Sequence, residues 1–301
     1  MSSLTFNTVS SAQLVAMGDG LLAAGDIGMA RNLYRAELAR SQDADRQKIR
    51  TRLGLALSPN TRTKAMLEIL KQLEGFGFVN AFVGEGMATW LKTLPFAEDE
   101  RFQALAEAHG DLLPAPNWHW SLQTVLWAVQ RCRDVPGDYV ELGVFKGHTT
   151  LFCAEYVEFA GWPKRWMLYD TFDGIPDDQL APGWKSINDS VYKGTYAFEE
   201  VRSRFAHIAN IQVIQGRVPE VLMQGAPDSI AFMHIDMNNV AAEIGALELL
   251  FERLSPGGVI IFDDYTWWTT RAQYYAEKAW FEARGLSVLP LPTGQGLFIK
   301  G

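Results

Sequence analysis

The sequence predicts an α/β fold: a seven-stranded sheet of five parallel strands and a terminal hairpin, preceded by an all-α segment. Three observations carry this expectation. From about residue 138 onward, short apolar runs alternate with helical stretches, the pattern of βαβ units and a mostly parallel sheet. The chain then closes with "LSVLPLPTGQGLFIKG", two apolar runs around a Pro-Thr-Gly-Gln-Gly turn, which reads as a hairpin. Between about Ser10 and His109, by contrast, apolar residues recur at three- and four-residue spacing with few β-branched runs, the period of a helix. The expected division is residues 1–115 for the helical region and 116–301 for the α/β domain.

Within the helical region, "MGDGLLAAGDIGMARNLYRAEL" places Gly18, Gly25, Ala30 and Tyr34 where a tetratricopeptide hairpin places its small and aromatic packing residues. A solenoid needs about three such units to bury its faces, so a single hairpin packed on its neighbours is expected. Such helices either pack internally or offer a docking surface, including one for a homo-oligomer. The two prolines of "LLPAPNWHW" break the helical pattern and mark the boundary. A helix from about Ser121 to Arg133 follows and ends at "DVPGD". The five expected parallel strands are "YVELGV", "RWMLYD", "IQVIQG", "IAFMHID" and "GVIIFDD".

At 301 residues and 48% apolar, the chain can bury a substantial core. It shows no apolar run of the roughly 18 residues a membrane span requires and no secretory leader pattern at its start, so a cytoplasmic location is expected. Cys132 and Cys153 lie in helical stretches outside any C-x-x-C spacing and read as buried free thiols. A formal charge of −8 argues against a nucleic-acid partner, which requires a dense basic face, and favours a small or neutral substrate.

Ligands of open α/β sheets sit outside the carboxyl ends of the strands, and the acids of this sequence gather there. Glu141 lies at the end of the first strand, Asp170 at the second, Asp236 at the fourth, and Asp263 and Asp264 at the fifth. One strand-end acid commonly caps a helix; four strands of five with such acids suggest a site. The first turn reads E-x-G-x-x-x-G, with Gly143 and Gly147, and not the G-x-G-x-x-G that seats a dinucleotide's pyrophosphate. A less anionic cofactor is therefore expected. Glu141, Gly143, Phe145, Gly147 and Thr149 would cradle an amino acid moiety, and Asp170, 23 residues past Gly147, would grip ribose hydroxyls. Together they describe S-adenosylmethionine.

The segments "VPGDYVELGVFKGHTT", "LYDTFDGIP", "HIDMNN" and "LSPGGVIIFDDY" resemble the macrocin O-methyltransferase (TylF-like) family, which methylates sugar hydroxyls of antibiotics. The resemblance runs from about Trp118 to Lys300. It implies a class I methyltransferase, Rossmann-like fold, S-adenosylmethionine as methyl donor and a divalent cation, usually magnesium. Carried onto this chain, Asp236 is metal ligand and general base, and Asp263 and Asp264 are the other ligands. Thr171, Phe172, Gly216 and Arg217 fall at the adenine pocket. Asn238 stands where another acid often appears.

Methyl transfer needs an oxygen aligned opposite the sulfonium sulfur and made nucleophilic. A hard cation on two neighbouring sugar hydroxyls, with a carboxylate to take the proton, meets that need; oxygen ligands suit magnesium or calcium. Asp263 and Asp264, adjacent on a strand, can share an ion only if the chain bends after it. His234 reads as a satisfied core histidine, and His148 lies near the cofactor turn. Trp267 and Trp268 either wall the acceptor or fill the core, and the Thr293–Gly296 turn lies on the ligand side. Two other readings stand beside this one. One is a nicotinamide-dependent oxidoreductase, disfavoured by the missing dinucleotide fingerprint; the other is a non-enzymatic helical docking scaffold with a vestigial cofactor site.

Overall fold

The computed structural model describes residues 9–41, 43–57, 61–78, 80–112 and 117–301. Two compact units share the chain, Met1–Trp120 and Ser121–Gly301. Pro114 and Pro116, the expected boundary prolines, lie outside the described residues.

The first unit begins with helices α1 (Ser11–Ala24), α2 (Ile27–Arg40), α3 (Asp43–Leu57) and α4 (Thr61–Gly75). Local chemistry sets the α1–α2 hairpin. Ser10 and Gln13 form a reciprocal capping box, and Gly25 closes α1 at φ +87°. The Asp26 carboxylate then accepts from the Met29 N–H to start α2. The two helices touch at Gly18, where a Cβ would stand 2.4 Å from the Tyr34 ring. The Tyr34 hydroxyl donates to Asp19 at 2.8 Å, and the fully buried Arg52 donates to both Asp19 and Glu74. A buried guanidinium with two carboxylates is satisfied, but removing either acid would strand charge.

A short antiparallel pair follows, β1 (Phe82–Gly84) with β2 (Met87–Thr89), then helices α5 (Pro95–Glu98) and α6 (Glu100–Ala108). The hairpin corrects the all-α expectation for this region. Its strands are three residues each, too short for a period of two to register, and the turn between them uses positive φ at Glu85 and Gly86.

Helix α7 (His119–Arg131) runs into the second unit. There the chain alternates β3 (Asp138–Leu142), α8 (His148–Val157), β4 (Trp166–Asp170), α9 (Lys185–Ile187), α10 (Phe198–Arg204), β5 (Ile211–Gln215), β6 (Ile230–Ile235), α11 (Val240–Leu250), β7 (Leu254–Phe262) and α12 (Arg271–Glu282). It ends in β8 (Leu289–Pro290) and β9 (Gly296–Ile299). The sheet order is β5-β4-β3-β6-β7-β9-β8. Strands β3 to β7 pair in parallel and β9 pairs antiparallel to β7 and β8, the expected five strands plus hairpin. Near-continuous burial along β3, β4 and β6 explains why these strands read as unbroken apolar runs.

Cys132 and Cys153 are free and fully buried. Burial pushes the Cys132 thiol up to about 11 and Cys153 well above its ordinary value. Among the described residues no helix is long and apolar enough to cross a membrane.

Candidate active site

From β3 the sheet grows outward through β4 to β5, and β6 then returns to the other side of β3. The crevice of a doubly wound sheet opens at such a reversal, so the site lies where β3 and β6 end. Gly143 leaves β3 at φ +85°, and a Cβ there would lie 1.8 Å from the Asp236 carbonyl oxygen. The chain's own backbone at the end of β6 demands a glycine here. Gly147, at φ +79°, starts α8 with its Cβ position against the Phe205 ring.

Asp170 holds this turn in place. Its Oδ2 accepts from the Val144 and Phe145 N–H groups at 2.7 and 2.9 Å, and its Oδ1 from the Phe172 N–H at 2.7 Å. Burial raises its carboxyl, and these N–H groups oppose the rise. The residue expected to grip ribose thus stitches the loops after β3 and β4. Phe145, at φ +50°, packs its ring on Tyr196 (4.8 Å) and Tyr192 (5.9 Å).

Glu141, expected to meet the cofactor directly, is buried with both oxygens occupied. It accepts from the Thr150 hydroxyl on one oxygen and contacts His234 Nδ1 at 2.9 Å on the other. Glu141 and His234 are cross-strand neighbours in the β3–β6 ladder, which explains the contact. His234 Nε2 stands 3.6 Å from Asp263, and the Gln295 amide donates to Asp263 Oδ1 at 2.9 Å. Burial alone would push His234 down, but Asp263 and Glu141 overcome it and raise it to about 10. The imidazole is therefore charged at neutral pH and braces one acid on each side.

The chain does bend after β7, so Asp263 and Asp264 both approach Asp236. Burial pushes Asp236 and Asp264 well above the usual carboxylate range, and the charge of Asp263 adds to both. Asp264 bonds Asp236, and the Asn238 amide donates to Asp236 Oδ1 at 3.1 Å. Among the described residues no group of three or more histidine, cysteine, aspartate or glutamate side chains is already arranged to hold a metal ion. The donor set nevertheless fits a hard divalent cation: three carboxylates crowd together, burial and neighbouring charge raise Asp236 and Asp264, and such an ion would offset that crowding.

Behind the cluster lies an acid pair that the sequence did not disclose. Glu243 accepts from the Met237 N–H at 3.2 Å and the Gln273 amide at 2.7 Å, and shares a hydrogen bond with Glu277. Burial raises Glu277 to about 7. In the fold it keeps a proton that the unfolded chain releases near 4.5, so folded protein binds more protons across that window. Glu277 alone is therefore expected to take about 3 kcal/mol from the stability of the metal-free protein as pH rises from about 4.5 to about 7. His234 extends the decline from about 6.5 towards 10. Urea denaturation across this range measures it, and in Glu277→Gln the fall between about pH 4.5 and 7 should shrink by about that amount.

Other expected site residues are scattered. Arg217 pairs with Asp178 at 2.6 Å and with Glu220, exposed beyond Gly216, whose N–H donates to the Asp170 carbonyl. The Thr171 hydroxyl donates to the Gly174 carbonyl, while Phe172 packs on Phe198 and Tyr196. Thr149 is half-buried in the first turn of α8. Trp267 lies against Gly294, whereas Trp268 is 77% exposed with Arg271 over its ring at 4.7 Å. Tyr192, unremarked in the sequence, has its phenol raised by burial and by the charges of Asp236, Asp264 and Asp263, and so lies near the acids.

The family described as macrocin O-methyltransferase (TylF) matches residues 121–286. A Streptomyces olivaceus protein named 8-demethyl-8-(2,3-dimethoxy-alpha-L-rhamnosyl)-tetracenomycin-C 4'-O-methyltransferase is 29% identical over 159 residues, 50% of this chain and 59% of that protein. Mycinamicin III 3''-O-methyltransferase of Micromonospora griseorubida is 24% identical over 226 residues, 69% of this chain and 86% of that one. The chain thus spans little more than half of the first relative's length and most of the second's. The solved structure of the O-methyltransferase NovP superposes with a TM-score of 0.51 at 20% identity, over 60% of this chain and 79% of that one, and shares its fold. With more than half of its length matched, the chain belongs to the macrocin O-methyltransferase (TylF) family.

Proposed function

We propose that the chain transfers a methyl group from S-adenosylmethionine to a hydroxyl of a small sugar-bearing acceptor in the cytoplasm, with magnesium held by Asp236, Asp263 and Asp264. The observation that carries this reading is the meeting of three aspartates with the glycine turn at the sheet's reversal point. The names of the two relatives, both sugar-position O-methyltransferases, support it. The turn from Gly143 to Thr149, with Phe172 at its side, seats the donor over β3 and β4. Asp236 orients the acceptor hydroxyl and takes its proton as the new O–C bond forms and the C–S bond breaks, leaving a neutral thioether. His234 and Gln295 hold Asp263 in place. Bound magnesium would acidify and orient neighbouring hydroxyls.

Titration calorimetry with S-adenosylmethionine is the first check, followed by transfer of a labelled methyl group to a rhamnosylated polyketide with magnesium or with chelator. Failure to bind the donor would overturn the reading, and chelator-resistant turnover would remove the metal from it.

A further inference from the structure

The first unit contains a cavity of about 260 Å³ walled by α3 and α6. Arg46 and Arg50 stand one helical turn apart on its α3 wall. One N–H of Arg46 donates to the Leu38 carbonyl, and one of Arg50 to the Ala97 carbonyl. Among the described residues neither guanidinium has a carboxylate at ion-pair distance. Burial and the neighbouring Arg46 push Arg50 down, and Glu100 opposes them. Glu107, also on the wall, is taken by Arg35 at 2.8 Å. Two cations therefore face the cavity against one uncommitted acid.

The floor is built with equal care. Asn117 is 1% exposed at φ +58°, and the chain clears room for it twice: a Cβ on Gly54 would lie 2.1 Å from its Oδ1, and one on Gly84 2.4 Å from its carbonyl oxygen. Its amide donates to the Val83 carbonyl, yet Oδ1 finds no partner among the described residues. His119 stacks on Phe96 at 5.2 Å and meets Phe82 and Phe102. Burial pushes it down to about 4, so it is neutral, and its Nδ1 is also without a partner. Both residues line the cavity, and buried polar atoms left unpaired cost free energy that a ligand drawn into contact with them would recover.

We infer that this cavity binds a compact phosphate-bearing metabolite of sugar-phosphate size, with Arg46 and Arg50 on the phosphate and Asn117 and His119 on its hydroxyls. Paired guanidinium forks match phosphate oxygens. The volume suits a phosphorylated monosaccharide and is too small for a nucleoside diphosphate with its base enclosed. The cavity lies in the first unit, and its ligand is inferred independently of methyl transfer.

Calorimetric titration of the full chain with inorganic phosphate and with glucose 6-phosphate tests the inference. Both should bind, the sugar phosphate about tenfold more tightly through its added hydroxyl contacts. The double variant Arg46→Gln with Arg50→Gln should weaken both by about tenfold or more. Ala104→Phe, at an exposed position on the cavity wall, should block the sugar phosphate while leaving the fold intact, and it serves if the double variant unfolds. Absence of binding by either probe overturns the inference, as does binding indifferent to these substitutions, which would mark an adventitious ion only.

Discussion

Asp236→Asn is expected to lower methyl transfer by about three orders of magnitude while leaving S-adenosylmethionine affinity within about threefold of wild type. The amide keeps the size of the carboxylate but accepts no proton and is a poor ligand for a hard cation. The turn proposed to seat the donor is held by Asp170 and by the Gly143 backbone, neither of which uses the Asp236 side chain. The same change should stabilise the metal-free protein at pH 8 by about 1 kcal/mol or more, because it deletes a buried carboxyl crowded by Asp263 and Asp264. Denaturation in the presence of chelator measures the gain. A variant with full turnover would remove Asp236 from the chemistry, and one that lost stability would show that its charge is already compensated.

Gly143→Ala should cost about 3 kcal/mol or more of stability and methyl transfer with it. The left-handed backbone alone disfavours a side chain by about 1 kcal/mol. The overlap with the Asp236 carbonyl is worse, since its relief must part the ends of β3 and β6 and weaken the 2.9 Å bond from the Gly143 N–H to the Tyr169 carbonyl. Gly147→Ala is the instructive comparison. It shares the positive φ, but its obstacle is the edge of the Phe205 ring, which can tilt aside, so about half the loss is expected. Urea midpoints at constant slope would rank the two.

The sheet was legible because each parallel strand is an apolar run ended by a turn, and because the last two runs share a short glycine-rich link. The β1–β2 hairpin was not, since three buried residues such as Phe82–Gly84 look the same in helix or strand. At the site, the sequence located the acids but could not say where their oxygens go. Asp170 turns back onto Val144 and Phe145, and Glu141 onto Thr150 and His234, because neighbouring strands bring those groups within reach. The role of Gln295 depends on β9 lying beside β7, and the Glu243–Glu277 pair on α11 meeting α12, both products of tertiary packing.

The two sealed thiols have a practical consequence. Cys132 and Cys153 offer no accessible sulfur, and their raised proton affinity keeps the reactive thiolate scarce. The native chain is thus a silent background for thiol-directed probes. A single cysteine placed at Trp268, or on the cavity wall at Ala104, would carry a fluorophore or spin label without first stripping the wild-type residues. Ligand arrival in either unit then becomes an optical or magnetic signal read independently of turnover.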